Sequence, residues 1–255
     1  MNLDRRTFLS LAGLSGLAIA AKSSVNALAQ TGQRETGAAV PPAIRWAMVI
    51  DVAKLLKEDG CTDSIAACNK AHNIPRFALE AHEVKWIWTE PFDKAFPDQQ
   101  SRYTDPAVKA RLVPVFCNHC ENPPCVRVCP TKATWKRADG IVMMDWHRCI
   151  GCRYCVAACP YGSRSFNWVD PRPQIQTLNP EFPTRSKGVV EKCNFCEERL
   201  ARGEQPACVA ACKDKSLVFG NLEDPKSEVR ELLRTRYAIR RKPELGTDPQ
   251  VYYLV

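Results

Sequence analysis

Glycine is scarce in this sequence. Its 12 glycines in 255 residues form no phosphate-cradling loop, which argues against nucleotide binding. Histidine is scarcer still, at four, and no Ser–His–Asp set or paired-carboxylate motif offers a hydrolytic centre. Beyond the N-terminus no segment approaches the ~20 uncharged apolar residues of a membrane-spanning helix. Work at a membrane would therefore need a partner to hold the chain there. The net charge of +8 is a mild basic excess. It reads first as a solvated surface, and otherwise as one favouring an acidic partner surface or anionic lipid headgroups. No basic run is interleaved with aromatics, so nucleic acid is not an expected partner.

What the sequence has in excess is cysteine, 14 residues, and proline, 19 residues. The N-terminus is an address. Asp4-Arg5-Arg6-Thr7-Phe8-Leu9-Ser10 reads as a twin-arginine export motif, followed by an uncharged stretch from Leu9 to Ala21 and an Ala27-Leu28-Ala29 cleavage site. Residues 1–29 are expected to be a signal peptide that exports the chain already folded to the periplasm, with 30–44 a linker. A folded export route lets a cofactor be inserted first, so signal and cysteines support each other.

The cysteines fall in four groups: Cys61 and Cys68; Cys117, Cys120, Cys125 and Cys129; Cys149, Cys152, Cys155 and Cys159; Cys193, Cys196, Cys208 and Cys212. Group three is C-x2-C-x2-C-x3-C-P, the bacterial ferredoxin motif for [4Fe–4S] clusters. Three close cysteines wrap one iron–sulfur cube, and the fourth points to the other cluster of the pair. Group two is the same design with a longer middle loop, and group four has Glu197 to Ala207 inserted. Disulfides explain this less well, because C-x2-C pairs are commoner as metal or redox loops and a chain of this length needs no seven staples. Zinc would show isolated four-cysteine ribbons, and a catalytic thiol would stand alone in a cationic setting.

Group one is damaged. Aligned on Asp51 and Cys68, its Cys61, Ser64 and Cys68 match Cys152, Cys155 and Cys159, while Leu55 stands where Cys149 stands. (Aligned strictly on C-x2-C spacing, Glu58 takes that first place.) Leucine offers no lone pair, and a serine oxygen is a poorer iron ligand than thiolate. Swapped ligation then yields Cys117, Cys120, Cys125 with Cys159; Cys149, Cys152, Cys155 with Cys129; and Cys193, Cys196, Cys208 with Cys68. Cys61 and Cys212 are left over, free, bridged or on a degenerate centre. Three clusters are expected, with about twelve irons, and a fourth is not.

Two echoes point to duplication of a two-cluster module. Met48-Val49-Ile50-Asp51 lines up with Val142-Met143-Met144-Asp145, and the run after Cys129 lines up with the run after Cys212. The expected fold is α+β, duplicated ferredoxin-like modules with loop-rich insertions. Residues 45–112 start an outer module, 113–168 form an inner module with two clusters, 169–192 are a loop insertion over the surface, and 193–222 finish the outer module. Residues 223–255, basic then aromatic, read as a C-terminal docking extension outside the core. The alternation Val84-Lys85-Trp86-Ile87-Trp88 predicts a half-buried strand. His119 is expected to pack or hydrogen-bond in a cluster loop. His147 is a tuning or surface residue, and His72 and His82 are structural. Trp135, Trp146, Trp168 and Tyr154 are expected to be packing that excludes water.

Groups two to four, within residues 45–222, resemble the four-cluster ferredoxin subunits of membrane-bound and molybdopterin oxidoreductases. The twin-arginine segment, Cys68-Asn69-Lys70-Ala71-His72-Asn73-Ile74-Pro75 and Arg241-Lys242-Pro243-Glu244-Leu245-Gly246-Thr247 are similar to the iron–sulfur (DsrO-like) branch of Dsr-type sulfur-metabolism membrane complexes. That resemblance implies an electron relay rather than an enzyme with its own substrate site. It also implies partners: a polytopic quinone-interacting membrane subunit, a periplasmic multihaem cytochrome and, through the membrane, a heterodisulfide-reductase-like arm. The alternatives are the electron-transfer subunit of a molybdopterin reductase acting on polysulfide, tetrathionate or sulfoxides, and an interaction protein whose clusters are structural.

Overall fold

A continuous apolar run, Trp46-Ala47-Met48-Val49-Ile50, forms strand β1 (Trp46–Asp51) because both of its faces are covered. Met48 and Ile50 face the main core, while Ala47 and Val49 face a second cluster built on Val229 of the helix Glu228–Thr235. The structure is a computed structural model that describes residues 44–57, 61–99 and 101–255. The expected signal, all of the linker except Ile44, and Glu58 lie outside the described residues.

After β1 the chain forms helix α1 (Thr62–Ala71) and the antiparallel pair β2 (Ile87–Pro91) and β3 (Leu112–Phe116). The strand expected from Val84 starts later, at Ile87. Trp86 is 1% exposed and sits ahead of it, donating from Nε1 to Glu191 at 3.1 Å. The cysteine-rich middle holds α2 (Pro124–Arg127), the pair β4 (Thr134–Lys136) and β5 (Val142–Met144), and α3 (Tyr154–Ala157). β6 (Ser165–Phe166) then pairs with β7 (Val190–Glu191). α4 (Glu197–Leu200), α5 (Ala207–Ala210), β8 (Leu217–Asn221), α6 (Glu228–Thr235), β9 (Ala238–Ile239) and β10 (Val251–Leu254) complete the chain.

The largest sheet has the order β8-β1-β10-β9, with β1 antiparallel to β8 and parallel to β10. This corrects the reading of the tail as an extension outside the core. Val251, Tyr253 and Leu254 are fully buried, and Tyr253 Oη donates to Pro114 O at 3.0 Å. β1 has a second edge whose backbone groups need partners, and the last residues of the chain provide them. The basic run before them is neutralised within the molecule, Arg241 by Glu90 at 3.0 Å and Arg240 by Asp248 at 2.6 Å.

The two sequence echoes occupy the same register. Thr134 pairs with Met144, Trp135 with Met143 and Lys136 with Val142. At the echoed positions Leu217 pairs with Ile50, Val218 with Val49 and Phe219 with Met48. The next rung matches too: Asp145 N donates to Ala133 O at 2.7 Å, and Asp51 N donates to Ser216 O at 2.8 Å. Each aspartate then folds back onto the N–H two residues on, that of His147 or Ala53. In the same way α2 packs on α3, and α1 packs on α5.

The Pro-rich insertion is ordered but does not stay on the surface. Its Phe182 and Arg185 are 7% and 3% exposed. Asn73, just past α1, donates to Asn179 O and Phe182 O at 2.9 and 2.7 Å. Asn73 and Asn179 need buried partners for their amides, and each finds them on the other segment.

Candidate metal centre

Each cysteine loop owes its first turn to a left-handed residue. The residue before the second cysteine has positive φ: His119 at 42°, Gly151 at 70° and Phe195 at 58°. A left-handed residue turns the chain back on itself, so two thiols three apart can face the same space. At Gly151 the fit is tight, since a Cβ would lie 2.4 Å from Gly188 O. His119 and Phe195 carry rings at this position and stack on each other, centroids 3.7 Å apart. His119 Nδ1 also accepts the Val142 N–H at 3.0 Å, in line with its expected packing role. The third cysteine of each group rides on a short helix: Cys125 on α2, Cys155 on α3 and Cys208 on α5.

The structure brings the twelve expected residues into three sets. Cys129, Cys149, Cys152 and Cys155 line one pocket, the first site. Cys117, Cys120, Cys125 and Cys159 line another, the second site. Cys68 lies within electrostatic reach of Cys193, Cys196 and Cys208, the third site. Burial pushes several of these thiols up, aided by neighbouring thiolates: Cys120 to about 12 beside Cys117, and Cys208 to about 12 beside Cys193. Cys129 moves the other way. There burial is outweighed by the Thr134 backbone N–H and the Thr131 hydroxyl, and the thiol is lowered. Four converging thiolates in an apolar pocket need a compensating positive charge. The donor set therefore fits a thiolate-ligated iron–sulfur cluster, whose irons supply that charge.

The sites are neighbours in order, first to second and second to third. Cys155 of the first site feels Cys125 of the second, and Cys193 of the third feels Cys117 of the second. A buried cation stands at each junction. Arg164, 5% exposed, donates to Thr134 Oγ1 at 2.9 Å and to Met144 Sδ at 3.7 Å, and its charge faces Cys125 and Cys155. Lys192, 1% exposed, donates to the carbonyls of Val142 and Cys193 beside Cys117. Beside the third site, His72 Nδ1 lies 3.6 Å from Cys68 Sγ and Nε2 lies 3.0 Å from Glu198. Donor atoms of His72, Cys196 and Glu198 fall within 4.8 Å of one another, so this trio belongs to the third site. Sequence reasoning missed Arg164, Lys192 and the proximity of His72. The available signal was a cation next to apolar residues near a cysteine group.

Cys61 and Cys212 stand apart from all three sets. Both hydrogen-bond Ser216 Oγ, and Leu55 and Ser64 are 3% and 1% exposed. The order of sites leads to them, because Cys208 of the third site feels Cys212. His147 is exposed. Three rings expected to exclude water face solvent instead: Trp135, Trp168 and Tyr154 are 39%, 47% and 62% exposed. Tyr154 and Ile150, 67% exposed, flank the first site, so that end of the series lies near the surface.

A family model described as a 4Fe-4S dicluster domain matches residues 108–174, which hold groups two and three. Over 98% of its length the chain is 41% identical to the Hdr-like menaquinol oxidoreductase iron-sulfur subunit 1 of Archaeoglobus fulgidus, of which it covers 97%. The chain belongs to the family of iron–sulfur subunits of quinol and molybdopterin oxidoreductases. This iron–sulfur subunit is also 37% identical to the menaquinone reductase iron-sulfur cluster-binding subunit of Nitratidesulfovibrio vulgaris, with 83% of the chain and 89% of that protein aligned. With a tetrathionate reductase subunit of Salmonella typhimurium the identity is 35%, over 100% of the chain and 89% of that protein. It is an electron-transfer subunit that carries [4Fe–4S] clusters. Among the described residues no helix of the subunit is long and apolar enough to cross a membrane.

Proposed function

We propose that this subunit holds three [4Fe–4S] clusters in series and serves as an electron wire in a periplasmic complex of dissimilatory sulfur metabolism. Its partners on this reading are a quinone-interacting polytopic membrane subunit, a multihaem cytochrome and, across the membrane, a heterodisulfide-reductase-like arm. The ligands are the twelve thiols of the first, second and third sites. The scaffold is a duplicated ferredoxin in which the chain enters the outer module at β1 and leaves it after β8, the inner pair β4–β5 having no such break. The observation that carries the reading is the chain of neighbouring thiol sets, each in electrostatic contact with the next.

The clusters, when bound, supply one-electron oxidation and reduction. The protein's residues do the rest. Paired strands fix the spacing between groups, the stacked rings of His119 and Phe195 keep water from the second and third sites, and Arg164 and Lys192 place positive charge at the junctions. The exposed first site is one contact point for a redox partner.

The 35% identity over the whole chain to a tetrathionate reductase subunit favours a second reading, the electron-transfer subunit of a periplasmic molybdopterin reductase. Co-purification separates the two: a polytopic membrane subunit with a cytochrome supports the first, a large molybdopterin subunit the second. Iron analysis with electron paramagnetic resonance potentiometry tests the wire itself. About twelve irons and three reversible centres are expected. Clusters that do not cycle in the range of the quinone pool would instead mark a structural role.

A further inference from the structure

Cys61 and Cys212 are the two thiols that the three sites leave over, and they meet. Both thiols hydrogen-bond one hydroxyl, Ser216 Oγ, at 3.8 and 3.1 Å, and each shifts the other's titration. Ligands on different corners of an iron–sulfur cube are held apart by the cube. A hydroxyl bonded to both thiols instead stands between them, the geometry of a neighbouring pair. Leu55, 3% exposed, packs in the same apolar cluster as Cys61 and Cys212. The two thiols are also unequal. Cys61, at the head of α1, is 3% exposed, whereas Cys212 is only half-buried. Cys212 Sγ accepts the Leu217 N–H at 3.4 Å, and the neighbouring Cys61 thiol, with this and Ser216, holds Cys212 down to about 5. Cys61 is pushed up, first by Cys212 and then by burial. An accessible thiolate backed by a protonated thiol is the arrangement that thiol–disulfide exchange uses.

We propose that Cys61 and Cys212 form a disulfide that closes the vacated fourth position and staples the head of α1 to the segment leading into β8. The inference rests on the assignment of the other twelve cysteines to three clusters. The oxidant is a disulfide of a thiol-oxidising protein. The Cys212 thiolate attacks one sulfur of that disulfide and displaces the other as a thiolate, leaving a mixed disulfide. Cys61 then loses its proton to solvent and attacks Cys212 Sγ. The Cys61–Cys212 bond forms and the second partner sulfur leaves as a thiolate. Two electrons pass from the pair to the partner, whose thiolates take up two protons from solvent. A link between residues so distant in sequence constrains the unfolded chain strongly.

The test uses the full-length holoprotein purified without reductant. It is labelled with N-ethylmaleimide in the native state, then denatured in acid with a chelator and fresh maleimide, and mapped by mass spectrometry. The expected result is one cross-linked peptide pair joining Cys61 to Cys212, maleimide on the other twelve cysteines, and about twelve irons per chain. In the Cys61→Ser variant the iron stays the same and Cys212 takes up maleimide in the native protein. Maleimide on both Cys61 and Cys212 of the unreduced wild-type protein, with about twelve irons, overturns the disulfide and leaves the three-cluster reading standing. About sixteen irons, or loss of about four on replacing Cys61, overturns both. The wild-type map decides the matter even if the variant does not fold.

Discussion

Replacing Glu191 with glutamine should destabilise the subunit and empty its third site first. Arg185 and Glu191 form an ion pair at 2.7 Å, with side chains 1% and 0% exposed. Trp86, Trp146 and Phe182 surround the guanidinium at 5.5, 5.5 and 5.8 Å. Its other N–H groups donate to His72 O at 2.6 Å and Asn73 O at 3.0 Å, directly after the helix that carries Cys68. Glutamine keeps the shape but strands a buried positive charge, which costs about 3–5 kcal/mol. For a chain of this size that is a fall in Tm of roughly 6–20 °C. Replacing both partners with methionine strands no charge but unpairs the Trp86 N–H and the His72 and Asn73 carbonyls, so it should recover only part of the loss. Thermal melts followed by circular dichroism and by visible cluster absorbance read the two effects, and iron analysis after mild heating shows which site empties. A Glu191→Gln shift below about 2 °C, or a double variant worse than the single one, would refute the reasoning.

Other perturbations test other parts of the molecule. Arg164→Gln removes the cation between the first and second sites, so both of their midpoint potentials should fall while the third stays in place, as read by potentiometric resonance titration. Gly151→Val puts a branched side chain at a φ of 70° against Gly188 O, and iron analysis should show about four irons lost with the second and third sites filled. Burial is the largest single influence on Asp51 and raises it, but the Arg236 hydrogen bond and charge, with the Lys54 N–H and charge, together outweigh this and hold it below the usual carboxylate value. Its contribution to stability is therefore present above the ordinary carboxylate range and is lost as pH falls through the lowered pKa. Asp51→Asn should flatten the acid limb of a stability–pH profile measured by urea titration.

Electron-transfer chemistry was legible in the cysteine spacing because groups two to four each open with two cysteines three apart in one tight turn, and the third follows closely in groups two and three. Covalent geometry alone brings such residues together, whatever the rest of the chain does. The fold places Cys129 with group three and Cys159 with group two, as the swapped reading expects, and the packing of α2 on α3 brings them there. Leu55 and Ser64 could be matched to Cys149 and Cys155 because the echo at Asp51 supplied a register, and the strand pairs keep that register.

Other features depended on packing between segments far apart in sequence. Val251–Leu254 looked like a loose end, yet it fills the open edge of β1, about two hundred residues away in the chain, because buried strand edges must find partners. The roles of Arg164 and Lys192 are set by the cavities that enclose them, which no local pattern announces. The rings at Tyr154 and Trp168 could face in or out equally well, and only the fold turned them outward. Residue spacing along the chain determined where each cluster's thiols lie, and tertiary packing decided the order of the sites, the charges between them, and the meeting of the two thiols left over.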